Sequence, residues 1–175
     1  MTISPTAGPD TARTLADGTW VLDPARSSVE FRVRHFYGLM TVKGHFDRFE
    51  GTLDLHAQPA VSLTIDAASV DTKQGKRDTH LRSADFFDVA NTPEVRFVSE
   101  SATLNGDKLA VRGLLHAAGK TIPLAFDASV RPADDGFEIE ASTTSDHRAL
   151  GMTWSPLGIM RSPSTLAVRG HLIRK

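Results

Sequence analysis

From about residue 20 onward, apolar and polar residues take turns along most of this chain. Val29, Phe31, Val33 and His35 alternate with Glu30, Arg32 and Arg34, which gives an extended segment one apolar and one charged face. The same period of two returns in Val61, Leu63, Ile65 and Ala67, and again in Ile122, Leu124, Phe126, Ala128 and Val130. Phe137, Ile139 and Ala141 repeat it, and Leu166, Val168, Gly170 and Leu172 end the series. Each run reads as a strand with one buried face. Between runs, Asn105-Gly106-Asp107 and Asp134-Asp135-Gly136 supply residues that tolerate positive φ, as tight hairpins require.

Three stretches depart from simple alternation. Leu39 to His56 is too long for one straight strand, and Gly44 and Gly51 inside it are expected to mark bulges or bends. Pro123 lacks an N–H and is expected at a strand start or a bulge. Residues 73–89 show no alternation, and their spaced apolar positions predict one or two short helical turns that end before Pro93. Residues 1–17 carry no periodicity and read as a mobile tail, leaving one domain over 18–175.

Eight or so amphipathic strands with one helical interruption predict an all-β barrel or sandwich. Long strands with internal glycines favour an antiparallel barrel, because closure removes exposed edges. The interior of an eight-stranded barrel is either filled by side chains or holds one small ligand. Small residues expected to face inward (Ala128, Ala141, Thr143 and Gly170) fit a channel, and they fit close strand packing equally well.

Charge and composition narrow the function classes. The net charge of -1 supplies no cationic field for nucleic acid. The absence of cysteine excludes disulfides, thiolate metal sites and thiol catalysis. No basic start followed by an apolar run opens the chain, so a cytoplasmic location is expected. The seven histidines (35, 45, 56, 80, 116, 147 and 171) are scattered, and no HExxH, GxSxG or phosphate-loop pattern is present. No metal, cofactor or catalytic residue is therefore expected, although barrel closure can gather distant ligands.

One set of segments is more specific. Gly18-Thr-Trp20-Val-Leu-Asp23-Pro24 leads into Ser27-Ser-Val-Glu-Phe31-Arg-Val-Arg-His35, then Val42-Lys-Gly44-His-Phe46-Asp-Arg-Phe49-Glu-Gly51 and Ser69-Val70-Asp-Thr72. Arg77-Asp78-Thr-His80-Leu81-Arg82-Ser-Ala-Asp85-Phe86-Phe87-Asp88-Val89 and Pro93-Glu-Val-Arg-Phe97 follow. In order and spacing these resemble the YceI-like family of bacterial polyisoprenoid-binding proteins, over about residues 18–174. The resemblance implies an extended eight-stranded antiparallel lipocalin-like β-barrel that binds a polyprenyl chain, a polyprenyl pyrophosphate or an isoprenoid quinone in an apolar pore. Family members are often periplasmic and some are linked to stress responses. The periplasmic habit is not carried over, since no signal pattern is seen. The carboxy-terminal third matches more loosely, with Asp146-His147-Arg148-Ala-Leu-Gly151-Met152 standing where members carry an Arg-containing segment.

On this reading Phe31, Val33, Leu63, Ile65, Phe97, Phe126 and Ile139 line the ligand tail, and each serves equally well as plain core. His35, Arg77, His80, Arg82, Phe86 and Phe87 are the head or mouth candidates, because arginine forks suit phosphate or carbonyl oxygens. The competing reading makes Asp78, Phe86 and Phe87 a structural cap on one barrel end. The partner expected is a polyisoprenoid or quinone-type lipid, bound without chemistry. The loop carrying Phe36, Tyr37, Leu39 and Met40 suits a transient membrane contact or a homodimer. Two other classes stand beside the carrier: a fully packed barrel acting as an interaction module, and an enzyme on a small hydrophobic substrate.

Overall fold

The computed structural model describes residues 16–35, 39–152 and 160–175. The tail up to residue 15, Phe36 and Tyr37 of the expected mouth loop, and Trp154 lie outside these residues, as does the His35 side chain.

The alternating runs become β1 (Thr19–Leu22), β2 (Ser28–His35), β3 (Met40–Phe46), β4 (Phe49–Asp54), β5 (Ala60–Asp66) and β6 (Val70–Asp71). A helix, α1 (Gly75–Arg82), interrupts them before β7 (Glu94–Asn105), β8 (Lys108–Ala117), β9 (Lys120–Ala133), β10 (Gly136–Ser145) and β11 (Met160–Arg174). All pairings are antiparallel. The order β1-β4-β5-β7-β8-β9-β10-β11, with β1 also paired to β11, closes a ring. Strands β1 and β2 are two halves of one bent strand, as are β3 and β4, so the barrel has eight staves.

The bends are not at the glycines. One lies at Pro24–Arg26, a 3-10 turn opened by proline and capped by the Asp23 side chain. The other falls between Phe46 and Phe49, whereas Gly44 and Gly51 stay inside regular ladders opposite Phe31 and Leu63. Close approach is what demands glycine at both places. A Cβ at position 44 would sit 2.3 Å from Phe31 Cζ, and one at position 51 would sit 2.5 Å from Leu22 Cδ1. Large inward side chains therefore lie across the backbone of the neighbouring strand. Pro123 also differs from expectation, lying within β9. It is tolerated because β9 is in register with β10 only from Ala128 onward.

The chain's turns sort onto two barrel ends. At one end, Trp20 and Phe137 meet edge to face at 4.8 Å, and with the fully buried Leu109 they fill the interior. At the other end sit α1, the β8–β9 hairpin and the turn after β10. Here the wall loosens. Beyond the Ala128–Ala141 pair, β10 continues alongside β11 as far as Ser145–Ser164 but has no further ladder pairs with β9. The hydroxyl of Thr143 donating to the Ala125 carbonyl at 3.3 Å bridges this looser seam.

Candidate functional site

Inside the barrel is a cavity of about 210 Å³. Its wall is built from the inward positions of the alternating runs, which is why it is almost wholly hydrocarbon. Phe31, Val33, Leu63, Ile65, Phe97, Phe126 and Ile139 all lie on it. Aromatic contacts order the lining: Phe31 meets Phe46 at 5.6 Å, Phe46 meets Phe87 at 5.6 Å, and Phe97 meets Phe126 at 5.3 Å. Ala141 and Thr143 also face this space, while Ala128, fully buried, does not border it. The space over Gly170 is occupied by the neighbouring strand, since a Cβ there would lie 2.3 Å from Leu22 Cδ2 on β1.

The helical segment roofs the cavity. Leu81, Phe86 and Phe87 point into the space, and Phe86 is buried. Their placement depends on the charged residues around them. Buried Asp78 accepts from the Thr72 amide at 2.9 Å and from the Thr72 hydroxyl at 2.5 Å. Arg77 donates to the Thr72 hydroxyl at 2.7 Å and to the Thr72 carbonyl at 2.8 Å. Arg82 donates to the carbonyls of Ala68 at 2.9 Å and Val70 at 3.1 Å. His80 pairs with Asp85 at 2.8 Å and stacks edge to face on Phe86. Arg77, His80 and Arg82 are thus absent from the cavity wall. The guanidinium groups hold the 68–72 segment against α1, which fixes the two phenylalanines over the barrel mouth. The arginines are held away from the cavity because the carbonyls of Ala68, Val70 and Thr72, around β6, claim their donors.

A polar corner escaped the sequence reading. Ser145, His147 and Ser164 are all buried and all border the cavity. His147 Nδ1 and Ser164 Oγ share a hydrogen bond of 2.8 Å. The Ser145 hydroxyl, directly opposite Ser164 in the ladder, has no hydrogen-bond partner among the described residues. A tight turn over Asp146–Gly151, with Gly151 at φ +79°, then sends Leu150 and Met152 back into the cavity. The period of β10 marks Ser145 as inward, two residues past Thr143. Only the register with β11 brings Ser164 beside it.

Two charge clusters lie on the outside of the barrel. His45, Asp47 and Asp71 approach one another on the rim of β3 and β6, and the Lys73 ammonium group sits 2.8 Å from Asp71. Asp135, in the β9–β10 turn, accepts from Arg26 at 3.0 Å and pairs with His171 at 2.6 Å. These partners hold the Asp135 carboxyl well below the usual carboxylate range, at about 2, with Arg26 the larger influence. The cluster ties the Pro24 bend to β11.

The closed eight-stave barrel thus encloses an apolar interior beneath an arginine-anchored phenylalanine roof. A YceI-like domain matches residues 20–169. The chain belongs to the YceI-like domain family. Protein YceI of Escherichia coli O157:H7 is 38% identical over 124 residues, covering 64% of each chain. Its counterpart in Salmonella arizonae is 36% identical over the same length. The match spans about 64% of the length of these curated relatives. Among solved structures, Burkholderia cenocepacia BcnA superposes with a TM-score of 0.77 at 20% identity, covering 86% of this chain and 98% of that one. A polyisoprenoid binding domain from Saccharophagus degradans gives a TM-score of 0.73 at 13% identity, over 91% and 100% of the two chains. At such identities the structures establish the shared fold.

Proposed function

We propose that the chain binds one long apolar isoprenoid lipid, such as a polyprenyl chain or isoprenoid quinone, inside the barrel and holds or carries it without chemistry. The observation that carries this reading is the cavity itself: about 210 Å³ of apolar space inside a closed barrel, beneath a roof of Phe86 and Phe87. A fully packed interaction module would leave no such space. An isoprenoid tail gains from this wall through the hydrophobic effect, about 0.8 kcal/mol for each methylene buried. Affinity then scales with tail length until chain ordering and the cost of association offset it. The name of the Saccharophagus degradans domain adds support, as does membership of the YceI-like family.

Native mass spectrometry of the purified chain, with organic extraction of whatever is bound, tests the proposal. A prenyl lipid or quinone near one per chain is the expected result. A bare polypeptide mass that takes up no added polyprenol or quinone would overturn it.

A further inference from the structure

The polar corner at the roofed end of the cavity bears on the head group. This step rests on the lipid reading above and concerns the same cavity. Buried hydroxyls in proteins are nearly always partnered, yet the Ser145 hydroxyl is buried, borders the cavity and has no partner among the described residues. Ser164 faces it from the adjacent strand. With His147 Nδ1 on the Ser164 oxygen, the pair can turn one or two O–H donors toward a single point in the cavity.

The charges around that point settle which oxygen fits. Among the described residues, the ionisable groups on the cavity wall are Glu30 and His147, with no lysine or arginine. Arg77 and Arg82 already donate to the 68–72 segment. A diphosphate entering this corner would lose its water with no cation to replace it, which is strongly unfavourable. A carbonyl oxygen carries no net charge and offers two lone pairs for the two hydroxyls.

We infer that Ser145 and Ser164, with His147 orienting Ser164, form a subsite for a neutral, carbonyl-bearing head, and that the barrel selects such lipids over prenyl diphosphates.

The test uses three ligands with one common four-unit isoprenoid tail: a methyl ketone, the matching hydrocarbon and the matching diphosphate. Each competes against a fluorescent lipid probe on the full chain, its Ser145→Ala variant and its Ser145→Thr variant. The ketone is expected to bind about 2- to 12-fold more tightly than the hydrocarbon, the range of one neutral hydrogen bond, and the diphosphate more weakly than either. Ser145→Ala should lower the ketone-to-hydrocarbon ratio to what Ser164 alone can supply, and Ser145→Thr should restore the preference. A diphosphate that binds as tightly as the ketone, or a ratio indifferent to Ser145→Ala, overturns the subsite while leaving the lipid reading intact. If none of the three ligands displaces the probe from folded protein, the lipid reading itself fails, and the subsite with it.

Discussion

Filling the cavity from one wall separates an empty interior from a packed one. Ala141 faces inward between Ile139 and Thr143 and borders the space of about 210 Å³. Ala141→Leu adds three carbons to that space, about 2.4 kcal/mol of gross burial at about 0.8 kcal/mol each. Ordering the leucine offsets about 0.5–1 kcal/mol of this, so the unliganded protein should gain about 1.5 kcal/mol. For a chain of this size each kcal/mol moves the melting temperature by about 2–4 °C, so Tm should rise by about 3–6 °C in a calorimetric scan. The same carbons take space from the ligand tail, and prenyl-lipid affinity should fall by at most about 50-fold, the equivalent of about 2.4 kcal/mol. Opposite signs in the two assays mark a real cavity. A lower Tm, with the loss of about 1–3 kcal/mol typical of overpacking, would show that the interior is already full and would refute the reasoning.

Other perturbations read the parts that build the site. Gly44→Ala would place a Cβ 2.3 Å from Phe31 Cζ, and the forced repacking should cost about 1–3 kcal/mol in denaturant titrations. Asp78→Ala strips the Thr72 amide and hydroxyl of their shared acceptor. It should cost about 1–3 kcal/mol and speed amide hydrogen exchange across α1 more than in the β8–β9 hairpin. Asp135, held at about 2 against an ordinary 3.8 by Arg26 and then His171, favours the folded state only while it is ionised. Its contribution is complete above about pH 4 and fades as pH falls toward about 2. Asp135→Asn should therefore lower the denaturant midpoint above about pH 4, where the contribution is complete, and converge with wild type as pH falls toward about 2, flattening the acid limb.

Much of this architecture is legible in the sequence. A period of two needs only local information: inward and outward faces follow from strand geometry, so Phe31, Val33, Leu63, Ile65, Phe97, Phe126 and Ile139 could be named as one surface. The helical interruption at α1 was legible for the same reason, because alternation stops there. Whether that surface encloses space was not legible, since side-chain volumes along single strands do not say how eight strands close or how far β9 and β10 part. Glycine positions carried a signal whose cause was misread. Gly44 and Gly51 mark where Phe31 and Leu22 cross a neighbouring strand, a contact set by register and invisible in either segment alone. Arg77 and Arg82 looked free to meet a ligand because the carbonyls that claim them, at residues 68, 70 and 72, become neighbours only after the chain folds back. The Ser145–Ser164 pair lies nineteen positions apart in sequence and side by side in the β10–β11 ladder. Local chemistry determined the faces of each strand, and the long-range register decided which polar atoms those faces bring together.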